Sequence, residues 1–336
     1  MKSNSVFIIA EIGVNHNGCL ETAKKLIDAA IESGADAVKF QSFITEEELV
    51  KSTPKADYQK KTTNAEESQF DMVKKLELNK DQHVELFQYC ATRNIEFISS
   101  PFDLPSIQLL NDLGVQRIKI PSGEITNIPY LHAVAKLNKP VILSTGMSTM
   151  DEVEFALKQL ESAGLSQIYI SILHCTSEYP APMTSINLNS MVALKDTFGL
   201  VVGYSDHSVG SEVAVASVAL GGKIIEKHIT LDKSMAGPDH SASSEPHEFL
   251  FMVEQIRNIE IALGSSEKKP TTQELKTKDV VRKKIVAKQR ILKGEQLSEK
   301  NLTTKRSLSG LGAEHWFEVL GVSAVQAYDI DDPIEL

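Results

Sequence analysis

Eight short apolar runs end in polar or ionisable residues: Glu11, Lys39 with Gln41, Ser99 with Ser100, Lys119 with Ser122, Ser144 with Thr145, His174 with Thr176, Asp206 with His207, and Glu226 with His228. Such groups resist burial, so a chain that ends every strand on them needs one wet pocket shared by all eight ends. The runs are β-branched and bounded by turn residues, and they predict strands at 7–12, 37–43, 96–102, 117–122, 140–146, 168–176, 200–207 and 223–230. Between them lie helical patterns with apolar residues three and four apart, such as Leu20, Ala23, Ile27, Ala30 and Ile31 with Gly34 as the C-terminal cap. Strict alternation of strand and helix implies parallel strands joined by right-handed crossovers. Eight such units in about 250 residues match a closed (β/α)8 TIM barrel better than an open sheet.

Two segments break the rhythm. Residues 44–80 form a long polar excursion after the second strand, read as a lid. Residues 265–281 have linker composition and divide a barrel domain, 1–264, from a small β-rich domain, 282–336. In that small domain 284–286 and 324–325 read as strand-like, 292–295 as a turn and 314–320 as helical. About 55 residues bury little core alone, so this domain is expected to lean on a neighbour.

With 336 residues, 42% hydrophobic, the chain has material for a large core. A net charge of −10 argues against a broad basic surface for nucleic acid or anionic membrane, so an anionic ligand must be held by a local cluster of cations. Three widely spaced cysteines make neither a disulfide framework nor a C-x-x-C metal site. Without a signal-peptide pattern or a membrane span of roughly 20 apolar residues, a cytoplasmic protein is expected.

Side chains alternate faces along a strand, so Lys39 and Gln41 share a face, as do Glu226 and His228. Closure would bring His207 and His228 to adjacent strand ends, a pair suited to Mn, Co, Fe or Zn in an open site. Lys39 and Lys119, with the hydroxyls of Ser100, Ser122, Ser144 and Ser205, suit a phosphate or carboxylate. Glu11 and Glu124 are candidates for moving protons, and the Gly237–His240 turn sets Asp239 over the mouth. Dinucleotide, ATP and serine-hydrolase fingerprints are absent. Two lysines projecting into a barrel also leave a Schiff-base aldolase open, and a non-catalytic binding protein is a further alternative.

The motifs EIGVNHNG (11–18), VKFQSF (38–43), SSPFD (99–103), KIPSGE (119–124), STGM (144–147), HCTSEYP (174–180), YSDHS (204–208), EKHIT (226–230) and GPDHSASSEP (237–246) together resemble the sialic acid synthase family. The tail IVAKQRILKGEQLSEKNLTTKR resembles that family's C-terminal antifreeze-like (SAF) domain. The resemblance implies condensation of phosphoenolpyruvate with an N-acetylated hexose, releasing phosphate by C–O cleavage. Phosphoenolpyruvate would be gripped by Lys39, Ser100, Lys119, Ser122, Ser144 and Ser205. His207 and His228 would hold a divalent metal, Mn2+ first and Mg2+ or Co2+ as substitutes. Glu11 and Glu124 would be catalytic, and Gln41, Tyr179, Asp239 and Arg306 would line the sugar side. A domain-swapped homodimer is also implied, with the arginine contributed across it. After Arg306 this sequence has Ser307–Gly312 in place of the family's usual proline and glycine loop. The resemblance favours N-acetylmannosamine as acceptor, with 2,4-diacetamido-2,4,6-trideoxymannose, giving legionaminate, next and the pseudaminate precursor after it. The stretch DYQKKTTNAEESQF (57–70) is more similar to the sialic and legionaminic branch than to the pseudaminic one.

Overall fold

The computed structural model describes residues 5–55, 63 and 67–336. The chain divides into two compact units, Met1–Gly264 and Ser265–Leu336.

The first unit carries eight strands: β1 (Phe7–Gly13), β2 (Ala37–Ser42), β3 (Glu96–Pro101), β4 (Ile118–Ile120), β5 (Val141–Ser144), β6 (Ile170–Cys175), β7 (Val201–Asp206) and β8 (Ile224–His228). Their hydrogen-bonded order is β3-β2-β1-β8-β7-β6-β5-β4, all pairs parallel, and the two ends of that order, β3 and β4, pack against each other. The sheet thus closes on itself with helices outside it, the (β/α)8 barrel expected from the alternation.

Local chemistry starts and stops the helices. Thr149 caps the helix Met150–Ser162 reciprocally with Glu152, and Asn79 caps Lys80–Thr92 with Gln82. Gly199, with φ +65°, ends Asn189–Phe198 in a left-handed turn. The helix Leu20–Glu32 buries Ala23, Ile27 and Ala30 of the stripe seen in the sequence, with Leu26 beside them, against the outer face of the barrel, while Leu20 and Ile31 are only partly buried.

Inside the barrel, parity sorts the side chains by height. Ile9, Ala37, Ile98, Ile142, Leu173 and Ile224 form an apolar plug. Two residues further along the same strands, on the same face, stand Glu11, Lys39, Ser100, Ser144, Cys175 and Glu226. Gly203 is required in β7 because a Cβ there would meet the Ile224 carbonyl oxygen at 2.1 Å. The barrel has a dry base and a polar mouth, with the mouth at the C-terminal strand ends.

The observed strands are shorter than the sequence runs at several ends. β4 stops at Ile120 because Ser122–Glu124 turns into a 3-10 helix, and residues 167–169 before β6 do the same. In the second unit β9 (Lys283–Ala287) pairs antiparallel with β10 (Leu302–Arg306) over a core including Ile285, Ile291, Leu302, Val319 and Tyr328. Residues 324–325, expected as strand, are in no ladder, and the partner strand is the half-polar LTTKR. The stretch 265–281 contains a helix, Thr272–Val281, started by a Thr271–Glu274 capping box and burying no residue. Of the expected lid, residues 56–62 and 64–66 lie outside the described residues, and with them most of the 57–70 motif. Its described parts include helices Thr45–Glu48 and Gln69–Lys74. Among the described residues no helix is long and apolar enough to cross a membrane.

Candidate active site

Register places the polar layer. Glu11 pairs with Lys39 across β1–β2 and with His228 across β1–β8, while Ser205 pairs with Glu226 across β7–β8. The mouth holds a cavity of about 360 Å³ lined by Glu11, Lys39, Gln41, Ser100, Lys119 and Ser122 on one side. Ser144, Tyr179, Ser205, His207, Glu226 and His228 also line it. Eleven of the fourteen site residues expected from the sequence therefore share one cavity.

Two lysines and two glutamates form its floor. Lys39 Nζ lies 2.7 Å from Glu11 Oε2 and 3.8 Å from Glu226 Oε2, and Lys119 Nζ lies 3.1 Å from Glu226 Oε1. Lys39 also donates to Ser100 Oγ (3.1 Å), and Ser205 Oγ donates to Glu226 Oε1 (2.7 Å). All four charged side chains are at most 5% exposed. Burial alone would raise Glu226, but Lys119 and Lys39 hold it at about 2. Burial pushes Glu11 up to about 7 against the pull of Lys39. Burial also lowers Lys119, whereas for Lys39 the facing Glu11 and Glu226 outweigh it and raise the ammonium. The floor is thus two cations with one firm counter-charge, Glu226, and one carboxyl, Glu11, balanced near neutrality.

The imidazoles stand beside this cluster, ring centroids 5.6 Å apart, with the Tyr179 ring 4.2 Å from His207 and 5.8 Å from His228. His207 Nδ1–H donates to the Thr176 carbonyl at 2.7 Å, which fixes the tautomer and leaves the Nε2 lone pair available. Burial lowers His207, and burial with the neighbouring His207 lowers His228 well below its usual value, so both rings are neutral. His228 Nδ1 is buried without a hydrogen-bond partner among the described residues. Neutral rings with an uncommitted nitrogen are what a divalent metal needs, so the pair fits one. No group of three or more His, Cys, Asp or Glu side chains converges as a metal cage among the described residues. Water and substrate oxygens would have to complete the coordination.

Three expected residues stand elsewhere. Asp239, raised to about 6 by burial, lines an adjoining cavity of about 240 Å³. Glu124 follows β4 in the 3-10 turn, accepts a hydrogen bond from Asn127 at 2.6 Å, and does not line the main cavity. Arg306 ends β10 in the second unit and is exposed. Glu226, a strand-end residue in the sequence with no role assigned there, is the counter-ion of both lysines. Its parity with His228 and the need of any buried lysine for a carboxylate were the available signals. The motif STGM also supplies a backbone donor: Gly146 N–H donates to Ser122 Oγ at 2.9 Å, and a Cβ there would meet Ser177 Oγ at 2.4 Å.

The chain is similar to known proteins. The model of the NeuB family matches residues 26–268. An N,N'-diacetyllegionaminic acid synthase of Campylobacter jejuni is 53% identical over 97% of this chain and 98% of its own length. One from Legionella pneumophila is 46% identical over 95% and 90%. Among solved structures, the N-acetylneuraminic acid (sialic acid) synthetase from Leptospira borgpetersenii superposes with a TM-score of 0.73 at 35% identity, covering 82% of this chain and 90% of that one.

Proposed function

Because the chain belongs to the NeuB family, we propose that it condenses phosphoenolpyruvate with 2,4-diacetamido-2,4,6-trideoxymannose, giving N,N'-diacetyllegionaminate and phosphate. The sequence favoured N-acetylmannosamine as acceptor; the names of the two relatives above move the choice to the diacetamido sugar. The observation that carries the reaction class is the cavity itself, with two buried lysines and two neutral imidazoles in one lining.

Each part of that cavity has work in this reaction. Lys39 and Lys119 neutralise the phosphate and carboxylate of phosphoenolpyruvate, and Ser100, Ser122, Ser144 and Ser205 donate to its oxygens. The aldehyde end of the sugar sits against Gln41 and Tyr179, with Asp239 beside them and Arg306 reaching the N-acyl group in a domain-swapped homodimer. His207 and His228 would hold a divalent cation, Mn2+ with Mg2+ or Co2+ as substitutes, which supplies Lewis-acid polarisation of the aldehyde oxygen. The phosphoenolpyruvate methylene carbon forms the new C–C bond to the aldehyde carbon, the C=O π pair passes to the aldehyde oxygen, which takes up a proton to become a hydroxyl, and positive charge is left at C2. Water adds at C2 as Glu11 takes its proton, and phosphate leaves with its bridging oxygen by C–O cleavage. Glu124, outside the main cavity, is assigned the sugar hydroxyls or a proton relay. The antifreeze-like reading of the second unit and a cytoplasmic location belong to the same proposal.

The test is phosphate release by metal-stripped protein given phosphoenolpyruvate and a panel of N-acetylated hexoses, with and without Mn2+, with product masses recorded. Release that requires Mn2+ and the diacetamido sugar is expected; release with every sugar withheld, or none with any sugar, would reject the reading. His207→Ala is expected to remove metal-dependent release while leaving the melting temperature within a few degrees, and undiminished activity would reject the metal assignment. Borohydride trapping is expected to leave the chain unmodified, since both ammoniums already have carboxylate partners; inactivation on trapping would favour the aldolase.

A further inference from the structure

We propose that Glu48 and the apolar wall beside it form the subsite for the C4–C6 end of the acceptor sugar, with the Glu48 carboxyl accepting the N–H of the C4 acetamido group. This rests on the reaction proposed above and concerns a residue outside the motifs that carry it.

The second cavity at the barrel mouth shares Gln41, Phe102, Tyr179 and His228 with the main one, so a sugar whose aldehyde lies at the imidazoles extends into it. One side of its wall is apolar, where Val14, Phe43, Val73, Leu76 and Phe102 pack as one cluster with Met72 buried beside them, and Gln41, Gln69, His228 and Asp239 line the rest. The Phe43 and Phe102 rings meet edge to face, 6.4 Å apart. A wall held this firmly by side-chain packing resists rearrangement around a poorly matched ligand.

Glu48 interrupts that wall. It ends the helix Thr45–Glu48 that follows β2, and it lines the second cavity. Its Oε2 is buried and has no hydrogen-bond partner among the described residues. Burial, with Asp103 and Glu124 nearby, pushes this carboxyl up to about 7. Asp103 is already committed, accepting from Ile44 N, Ser106 N and Ser106 Oγ. A buried acceptor left open against an apolar surface costs stability unless a ligand satisfies it.

The diacetamido sugar fits this combination at its far end. Its C4 substituent offers one N–H and one acetyl methyl, and C6 is a methyl. The N–H meets the open oxygen and both methyls meet the apolar wall. N-acetylmannosamine presents hydroxyls at C4 and C6 and so gives up the contacts of both methyls with the apolar side.

Steady-state kinetics of the full-length, Mn2+-loaded protein with phosphoenolpyruvate and the diacetamido sugar test this. Glu48→Ala is expected to raise the KM of the sugar about 10- to 100-fold, the loss of one hydrogen bond to a carboxylate, with the KM of phosphoenolpyruvate within two-fold of wild type. Glu48→Gln keeps an acceptor and its volume, and is expected to recover most of that loss. An unchanged sugar KM in Glu48→Ala while wild type turns the sugar over would overturn the subsite alone. Equal rises in both KM values, or no recovery in Glu48→Gln, would make Glu48 a general structural residue and overturn it too. A wild-type protein inactive with the diacetamido sugar would overturn the reaction assignment and the subsite together.

Discussion

Glu11→Gln is expected to lower kcat by about 10²- to 10⁴-fold, the usual worth of a positioned general base, with little change in thermal midpoint. The carboxyl lines the cavity, 2.7 Å from Lys39 and in register with His228. The amide keeps the shape and a hydrogen-bonding group toward Lys39 but cannot take a proton. The pH profile gives a sharper reading. Burial holds Glu11 at about 7, so the free enzyme loses its base as pH falls through that value. In wild type kcat/KM should therefore fall below pH 7 with unit slope, and in Glu11→Gln that limb should vanish from the residual activity. A limb that survives the substitution would assign the base elsewhere, Glu124 or Asp239 being the next candidates. The sign for stability is the reverse of an ordinary ion pair. The native carboxyl binds its proton more tightly than the unfolded one, so Glu11 favours the folded state most below about pH 4.5 and loses that contribution as pH rises to 7.

The barrel was legible because its signals are local. Alternating strand and helix patterns set the topology, and parity along runs such as Ala37–Lys39–Gln41 predicts which side chains share the interior. Most of the site followed from the same pattern, since polar residues at strand ends have one place to go. What escaped depends on tertiary partners or weak local codes. Glu226 is visible as a strand end, yet its role comes from lysines 107 and 187 positions earlier in the chain, which no periodicity connects. Glu124 stands one turn past β4, where the chain leaves the strand direction for a 3-10 turn, so sequence proximity to Lys119 does not bring it to the cavity. Glu48 sits in a polar excursion whose composition predicts a loop, and its environment comes from Phe43 and Phe102 on other segments. β10 reads poorly because a two-stranded, half-exposed sheet needs little hydrophobic alternation, and the Thr272–Val281 helix buries nothing that would mark a stripe.

Glu226→Ala should give the largest loss of stability, about 3–5 kcal/mol, because it removes one member of a buried charge network and leaves the others uncompensated. Lys39 retains Glu11, but Lys119 has no other carboxylate within salt-bridge distance among the described residues. For a unit of this size the expected fall in melting temperature is roughly 10 °C. The pH dependence separates lost charge from lost volume. Burial already lowers Lys119; without Glu226 it should shed its proton in the native state while keeping it in the unfolded one. The unfolded state then binds more protons, so the variant's stability should rise with pH from 7 to 9 more steeply than that of wild type. Glu226→Gln, which fills the space without the charge, should show the same slope with a smaller total loss. An anion should substitute for the missing carboxylate: inorganic phosphate or phosphoenolpyruvate is expected to raise the melting temperature of either variant more than that of wild type. If both variants melt with wild type, or if phosphate stabilises all three equally, Glu226 is not the counter-ion that holds the two lysines ready for the phosphate and carboxylate of the proposed substrate.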